Sequence, residues 1–166
     1  MKNELTGTIK ALLIEYERAV DELIALIKPL RSSDIMMIKD DKTSDSNCKS
    51  IQTILSHVVY AGYGYICFIE NHLGASKQRR PRQYFESAEE YINDLNGMFN
   101  YCQDFFIQHP GLELEEKDRE KKVVTSWGQE YDIEQMMEHA IVHVLKHRAQ
   151  IERFVKTSHN KKLTPA

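Results

Sequence analysis

The chain has 166 residues, of which 42% are hydrophobic and 28% are charged, and its formal net charge is −3. This length and composition indicate one ordinary globular domain that can bury a core without disulfides, and they exclude a disordered or fibrous protein. The slightly acidic balance, with no long block of one sign, argues against a nucleic-acid-binding protein that acts mainly by neutralising phosphates.

The cysteines and the N-terminal segment exclude further classes. Cys48, Cys67 and Cys102 lie far apart and form no C-x-x-C pair, so neither a zinc ribbon nor a redox motif is predicted. Cys67 and Cys102 fall in helical patterns and are expected to be small buried side chains. The start MKNELTGTIK lacks the layout of a signal peptide, and no window approaches the roughly 20 apolar residues of a membrane span. We therefore expect a cytoplasmic protein without a membrane partner.

Two amphipathic helices are predicted in the first half of the chain. Apolar residues at steps of three and four predict a helix over 5–28, followed by a polar loop over 31–48. The same spacing predicts a second helix from about Ser50 to Gly74. A basic loop, 77–82, then separates the two halves.

Two further helices are predicted in the second half. Ser87 and Glu90 form the S-x-x-E pattern of a capping box, and the helix that follows is expected to stop before Pro110. Residues 110–131 are charged and irregular, with VVTSW as a candidate extended stretch. Asp132, with Gln135 at the reciprocal position, is expected to cap a helix that runs to about residue 156.

Four long helices without a strand pattern of consequence indicate an all-α protein, an antiparallel four-helix bundle with long connecting loops. We expect a single domain over 1–166, with its core at about 5–156 and a frayed C-terminal tail at 157–166.

The last predicted helix carries histidines at steps of four, His139, His143 and His147. At about 100° of rotation per residue, the apolar stripe of this helix centres near 90° from His139, with His143 at about 40° and His147 at about 80°. Two imidazoles therefore point into the core, where an unpartnered polar ring costs about 1–3 kcal/mol. An i, i+4 histidine pair is the geometry that brings two ring nitrogens to one metal ion.

A third ligand must come from another helix, and His57 is the best candidate because it lies at the margin of the core face of the second predicted helix. A single helical histidine is more often exposed or hydrogen-bonded in a core, and that alternative stays open for His57. His139 is interpreted as exposed, the alternative being a group in the second shell or facing a substrate. Gln150, at about 20° on the same wheel, lies beside His143 and is a candidate hydrogen-bond partner of a ligand or substrate.

The motifs S-I-x-x-I-L-S-H at 50–57 and H-x-x-x-H-R-x-Q at 143–150 resemble those of the DinB/YfiT-like superfamily of metal-binding four-helix bundles. The resemblance covers roughly residues 5–156, and Ala149 replaces the glycine of the H-x-x-x-H-R-G-Q signature. It implies an up-down-down-up bundle in which His57, His143 and His147 bind one divalent ion, nickel, zinc or a similar metal. Homodimers are common in the superfamily.

The resemblance also implies a small-molecule substrate, because members include bacillithiol-dependent and mycothiol-dependent enzymes. Our leading hypothesis is a thiol-dependent S-transferase for a low-molecular-weight thiol. Arg79, Arg80 and Arg82 of the basic loop are candidates to hold an acidic thiol, the alternative being a solvated run of charge. A metal-dependent hydrolase and a non-catalytic metal-binding module remain open, and in the latter the charged segment 111–122 would be a docking surface. Trp127 is expected to anchor its loop onto the bundle, the alternative being that its side chain forms one wall of the metal site.

Overall fold

The computed structural model describes residues 5 and 7–162, with side chains up to residue 157. The described part is mostly helical, with one short hairpin between its last two long helices. The helices are α1 (Gly7–Ile27), α2 (Ser32–Met36), α3 (Ile51–His72), α4 (Ala88–Gln108) and α5 (Ile133–Lys162), and the strands are β1 (Val123–Val124) and β2 (Glu130–Tyr131). Among the described residues, no helix combines the length and apolar character that crossing a bilayer requires.

The four long helices lie where the sequence predicts them. The structure differs from the prediction in one additional short helix and in the end of the last helix. The loop expected over 31–48 contains the short helix α2, whose Ile35 is buried and whose first turn is held by Arg31 and Asp34, with Nε donating to Oδ2 at 3.0 Å. α5 continues to Lys162, beyond its predicted end near residue 156. The fraying expected over 157–166 stays a prediction. Residues 163–166 lie outside the described residues.

The predicted helix caps are confirmed. Ser87 accepts from the backbone nitrogen of Glu90, and Glu90 accepts from the backbone of Ser87 in return. At the start of α5, the backbone nitrogen of Asp132 donates to Gln135 Oε1 at 3.1 Å, and Gln135 N donates to Asp132 Oδ1 at 2.8 Å. Each pair satisfies two backbone donors that the first helical turn would leave without partners.

Helices α1 and α3 each pack against both α4 and α5, around one apolar core. α3 and α4 advance in the same direction, because Tyr91 contacts Gln52 near their starts and Tyr101 contacts Glu70 near their ends. The buried residues of this core come from all four long helices and include Leu23 and Ile27 of α1, Ile54 and Ile66 of α3, Leu95 and Phe106 of α4, and Met136 and Ile151 of α5. The cysteines Cys67 and Cys102 are buried, as predicted.

A hairpin between α4 and α5 brings Trp127 beside α3. β1 pairs antiparallel with β2, and Gly128, with φ of +84°, makes the turn between them. The extended stretch expected in VVTSW is confirmed only for its two valines. Trp127, at the tip, packs edge-on against Tyr65 and Phe68 of α3, with ring centroids 6.3 and 5.7 Å away. The hairpin thus places an aromatic side chain between α3 and α5.

The charged segment 111–122 runs along the bundle before this hairpin. Its Leu112 and Leu114 pack against the core, and the carbonyl of Leu114 accepts from the backbone nitrogens of Ile133 and Glu134 at 3.0 and 3.1 Å. The segment therefore positions the start of α5. Its use as a docking surface stays a prediction.

Candidate metal site

Three histidines from two helices meet in the interior between α3 and α5. One ring nitrogen of each of His57, His143 and His147 lies within 4.8 Å of the others. The Nε2 atoms of His57 and His143 are 3.0 Å apart, and the ring centroids of His143 and His147 are separated by 4.5 Å. His147 is only 2% exposed and the other two are partly buried.

The helical geometry explains this convergence. His143 and His147 are one turn apart on α5, and both project from its packed face, as the apolar stripe predicts. α3 runs opposite to α5 at this point, because His57 packs against His147 while Tyr65, two turns later, packs against His139. His57 therefore faces the α5 pair from the opposite helix.

Burial keeps these imidazoles uncharged near neutral pH. Burial, together with the neighbouring His147 and the positive charge of Arg82, lowers the pKa of His57 to about 4. Burial and the two neighbouring rings lower the pKa of His143 to about 2, and burial also lowers that of His147. Neutral imidazole is the form that offers a lone pair to a metal ion.

The hydrogen bonding of the three rings fits a bound cation. The facing Nε2 atoms of His57 and His143 can share at most one proton, and the buried Nδ1 of His143 has no hydrogen-bond partner among the described residues. Imidazole nitrogens bound to one tetrahedral ion at about 2.0–2.1 Å would lie about 3.3 Å from one another. Three imidazoles suit zinc, nickel, copper or iron and not magnesium or calcium, which prefer oxygen. The residues present could therefore hold one divalent transition-metal ion.

Gln150 fixes the orientation of one of the three rings. The Nδ1–H of His147 donates to Gln150 Oε1 at 3.1 Å, which leaves Nε2 of that ring with its lone pair. The sulfur of Cys48 donates to the same oxygen at 3.6 Å. The sequence analysis named Gln150, beside His143 on the helical wheel, as a candidate hydrogen-bond partner of a ligand or substrate. In the structure its partner is His147, because the side chain reaches back over the preceding turn.

His139 lies next to the three-histidine cluster without belonging to it. The prediction that it is exposed is wrong, since it is partly buried and its Nδ1 lies 3.2 Å from the hydroxyl of Tyr131. Its ring stacks on Trp127 at 6.0 Å and on His143 at 6.1 Å. The alternative role, in a second shell or facing a substrate, stays open. Trp127 is 45% exposed, and it both anchors the hairpin and borders the site.

The basic loop is not a solvated run of charge. Arg80 pairs with Asp94 of α4, with Nη2 and Oδ2 3.0 Å apart. Arg82 donates to the hydroxyl of Ser56 at 2.9 Å and to the carbonyl of Thr53 at 2.7 Å, so it fastens the loop to α3. The donors of these two arginines are already engaged, and the proposal that they hold an acidic thiol is not supported.

Two tyrosines beside the site were missed by the sequence analysis. Tyr65 lies 6.0 Å from the ring of His143, and Tyr131 contacts His139. Tyr65 follows His57 by eight residues, so it lies about 80° around α3 from it, a signal that could have found it. Tyr131 lies in the irregular segment, where no periodicity indicates which way a side chain points.

Comparison with known proteins connects this arrangement to a family. The chain matches the sequence model of the DinB family over residues 13–157. It is similar to a solved structure from Exiguobacterium sibiricum 255-15 assigned to the DinB family, with 16% identity over 92% of this chain and 93% of that chain and a TM-score of 0.58, which shows a shared fold. A search of curated proteins gave no match. Because the family match spans most of its length, the chain belongs to the DinB family.

Proposed function

We propose that the protein is a divalent-metal-dependent enzyme whose metal ligands are His57, His143 and His147. The observation that carries the proposal is the set of three neutral imidazoles, each with a ring nitrogen within 4.8 Å of the others. The cost of burying such rings is offset when a metal binds their lone pairs. The up-down-down-up bundle implied by the resemblance accords with α3 running parallel to α4 and antiparallel to α5.

The residues of the chain prepare this site in three ways. Burial excludes water and keeps the imidazoles neutral, and Gln150 holds His147 in the tautomer whose Nε2 is free to bind a metal. Trp127 stacks on His139, which in turn stacks on His143 at the edge of the site. When bound, a divalent ion held by three neutral ligands would supply a Lewis acid that lowers the pKa of a coordinating thiol or water.

We further propose that the reaction is a thiol-dependent S-transfer, in which the sulfur of a low-molecular-weight thiol forms a bond to an electrophilic carbon, the bond from that carbon to its leaving group breaks (chloride, for the probe used below), and the thiol proton leaves to solvent. The groups that contact the three imidazoles support this reading. Gln150, Tyr65 and His139, which contact the imidazoles, are neutral, and the nearby carboxylate of Asp45 accepts from the backbone nitrogen of Asn47. The H-E-x-x-H hydrolases instead pair their histidines with a glutamate that acts as general base. A metal-dependent hydrolase is the second candidate, because the same ligand set also activates water.

Metal content tests the first part of the proposal. We expect protein purified without a histidine tag, and measured by elemental analysis, to contain about one equivalent of a transition metal per chain. His143→Ala should lose the metal. The matched control is His72→Ala, since His72 is an exposed histidine at the end of α3. Equal metal content in the two variants would reject the three-histidine site.

Thiol conjugation tests the second part. Metal-loaded protein is incubated with bacillithiol and monochlorobimane, and fluorescence of the conjugate is followed. We expect thiol-dependent turnover that His143→Ala lacks and His72→Ala keeps. Ester turnover without added thiol would favour the hydrolase. Bound metal with neither activity would favour a non-catalytic binding module.

A further inference from the structure

Arg79 differs from Arg80 in having no acidic partner, and from Arg82 in having a buried nitrogen without a hydrogen-bond partner. Its guanidinium lies flat on the ring of Tyr60, with Cζ 3.6 Å from the ring centroid, and Nη2 donates to the carbonyl of Tyr60 at 3.0 Å. No carboxylate of the described residues pairs with it, and its Nε is buried without a hydrogen-bond partner. Arg79 is thus a partly buried cation whose charge is not neutralised locally.

A partly buried cation without an anion is costly, and burial accordingly lowers the pKa of Arg79. Arg80, next along the chain, shows the usual solution, since its guanidinium is paired with Asp94. A ligand that carries an anionic group would stabilise the unpaired guanidinium of Arg79 through charge-assisted hydrogen bonds.

The fold provides a dedicated place for this guanidinium. α3 has no side chain at Gly64, and a Cβ atom added there would lie 2.6 Å from both Cζ and Nη2 of Arg79. Gly64 is seven residues after His57, so the two positions share one face of α3 and are about 10 Å apart along its axis. The charge also contributes, after burial and other neighbours, to the lowered pKa of His57.

A continuous series of ring contacts joins Arg79 to the three-histidine site. The guanidinium lies 5.8 Å from the ring of Phe68, and Phe68 lies 5.7 Å from Trp127. Trp127 stacks on His139, which in turn stacks on His143. A row of aromatic rings therefore leads from the unpaired guanidinium of Arg79 to the three-histidine site.

We propose that Arg79 is the anion-recognition residue of this site, and that the protein acts on a small molecule whose carboxylate binds Arg79 while its reacting end reaches the three histidines. The proposal deepens the proposed function, on which it rests, by naming the substrate class. The substrate carries a monoanionic group about 10 Å from its reactive atom, a distance set by the two helical turns between Gly64 and His57. Its linking part is apolar, to match Phe68 and Trp127.

Two probes that differ only in charge test the proposal, 6-mercaptohexanoate and the neutral 6-mercaptohexanol. Trp127 is the single tryptophan of the chain and lies between Phe68 and His139, so its fluorescence reports binding with or without metal. We expect the zinc-loaded protein to bind the acid about tenfold more tightly than the alcohol, as a charge-assisted hydrogen bond allows. In metal-free protein both probes should bind more weakly, and the preference for the acid should persist.

Three variants make the test specific. Arg79→Gln should abolish the preference, and Gly64→Ala, which keeps the charge and displaces the guanidinium, should reduce it. Arg153→Gln removes the same charge from an exposed position of α5 and should leave the preference unchanged. Circular dichroism confirms folding, and Gly64→Ala decides the matter if Arg79→Gln fails to fold.

Each remaining outcome counts against the proposal. Equal affinity for the two probes in the unaltered protein, no binding of either probe, or a preference that survives in both Arg79→Gln and Gly64→Ala would overturn it. Failure of the three-histidine proposal is distinguishable, because it appears as absent metal while the charge preference is still measured in the metal-free protein.

Discussion

The two sides of α3 can be compared through two glycines that lie two residues apart. On the side that faces α1 and α4, Gly62 lies under the buried side chain of Met98, and a Cβ atom there would meet Met98 Cγ at 2.7 Å. Gly64 lies instead under the charged end of Arg79. The same residue type thus serves close packing at one position and a cation at the other.

The difference also extends to how each side satisfies its buried groups. The side toward α4 is closed by apolar contacts and by hydrogen bonds such as that from Tyr91 to the carbonyl of Gln52. The side toward α5 buries three imidazoles and leaves a nitrogen of His143 without a described partner. The first side stabilises the fold, whereas the second contains polar groups whose cost of burial a bound metal ion would offset under the proposed function.

The largest effect is expected for His143→Leu, which makes the α5 side resemble the α4 side. Zinc affinity, measured by equilibrium dialysis, should fall by more than about 100-fold. Removing a residue that only hydrogen-bonds a metal ligand typically lowers the affinity by about 10–100-fold, and this variant removes a ligand itself. The metal-free variant should gain about 1 kcal/mol in free energy of unfolding, because a buried nitrogen without a partner is removed. Unchanged affinity, or a less stable metal-free protein in urea, would contradict this account of the α5 side.

A smaller effect on the metal is expected from Gln150→Ala. The variant no longer holds the Nδ1–H of His147, and zinc affinity should fall by about 10–100-fold. Gln150→Glu keeps an acceptor at this position and serves as the control, with affinity at least as high as that of the unaltered protein. If the alanine variant binds zinc normally, Gln150 does not orient the ligand.

The two glycines should respond differently to the same substitution. Gly62→Ala should lower the free energy of unfolding by about 1–2 kcal/mol, because overpacking at Met98 outweighs the gain of about 1 kcal/mol in helix propensity. Gly64→Ala should be neutral within about 0.5 kcal/mol or stabilising, because only the mobile end of Arg79 must shift. Urea unfolding measures both, and equal losses would show that both glycines serve packing alone.

The smallest effect is expected at the N-terminal caps of α4 and α5, the two helices that pack against α3. The reciprocal capping residue is Glu90 in α4 and Gln135 in α5, and only the glutamate can be protonated. Hydrogen bonds from Ser87 lower the pKa of Glu90. The folded pKa is below the unfolded one, so the cap stabilises the protein above the unfolded pKa and this contribution is lost as pH falls through the folded pKa. Glu90→Gln should therefore weaken the acid-range dependence of thermal stability slightly. An identical pH profile would rule out this contribution.

Local patterns predicted most of the fold. The four long helices and the caps at Ser87 and Asp132 follow from periodicity and hydrogen bonds within one turn, which are contained in neighbouring residues. α2 was missed because five residues are too short for a periodic signal, and its stability comes from burying Ile35. The continuation of α5 past residue 156 was missed because the apolar pattern ends before the helix does.

The candidate site was predictable to the extent that it depends on α5. The i, i+4 spacing places His143 and His147 together whatever the rest of the chain does. The surroundings were harder to predict. The sequence left His139 as exposed and did not identify His147 as the partner of Gln150, because both outcomes depend on how the side chains around α5 pack.

The sequence by itself determined that α5 is a helix with two histidines on its packed face, since helix geometry repeats every 3.6 residues and needs no distant partner. Only the tertiary structure decided that His57 faces this pair, because that depends on the antiparallel packing of α3 against α5. The same holds for Arg79, which the sequence cannot distinguish from Arg80. Which of the two meets a carboxylate is set by contacts between segments far apart in the chain.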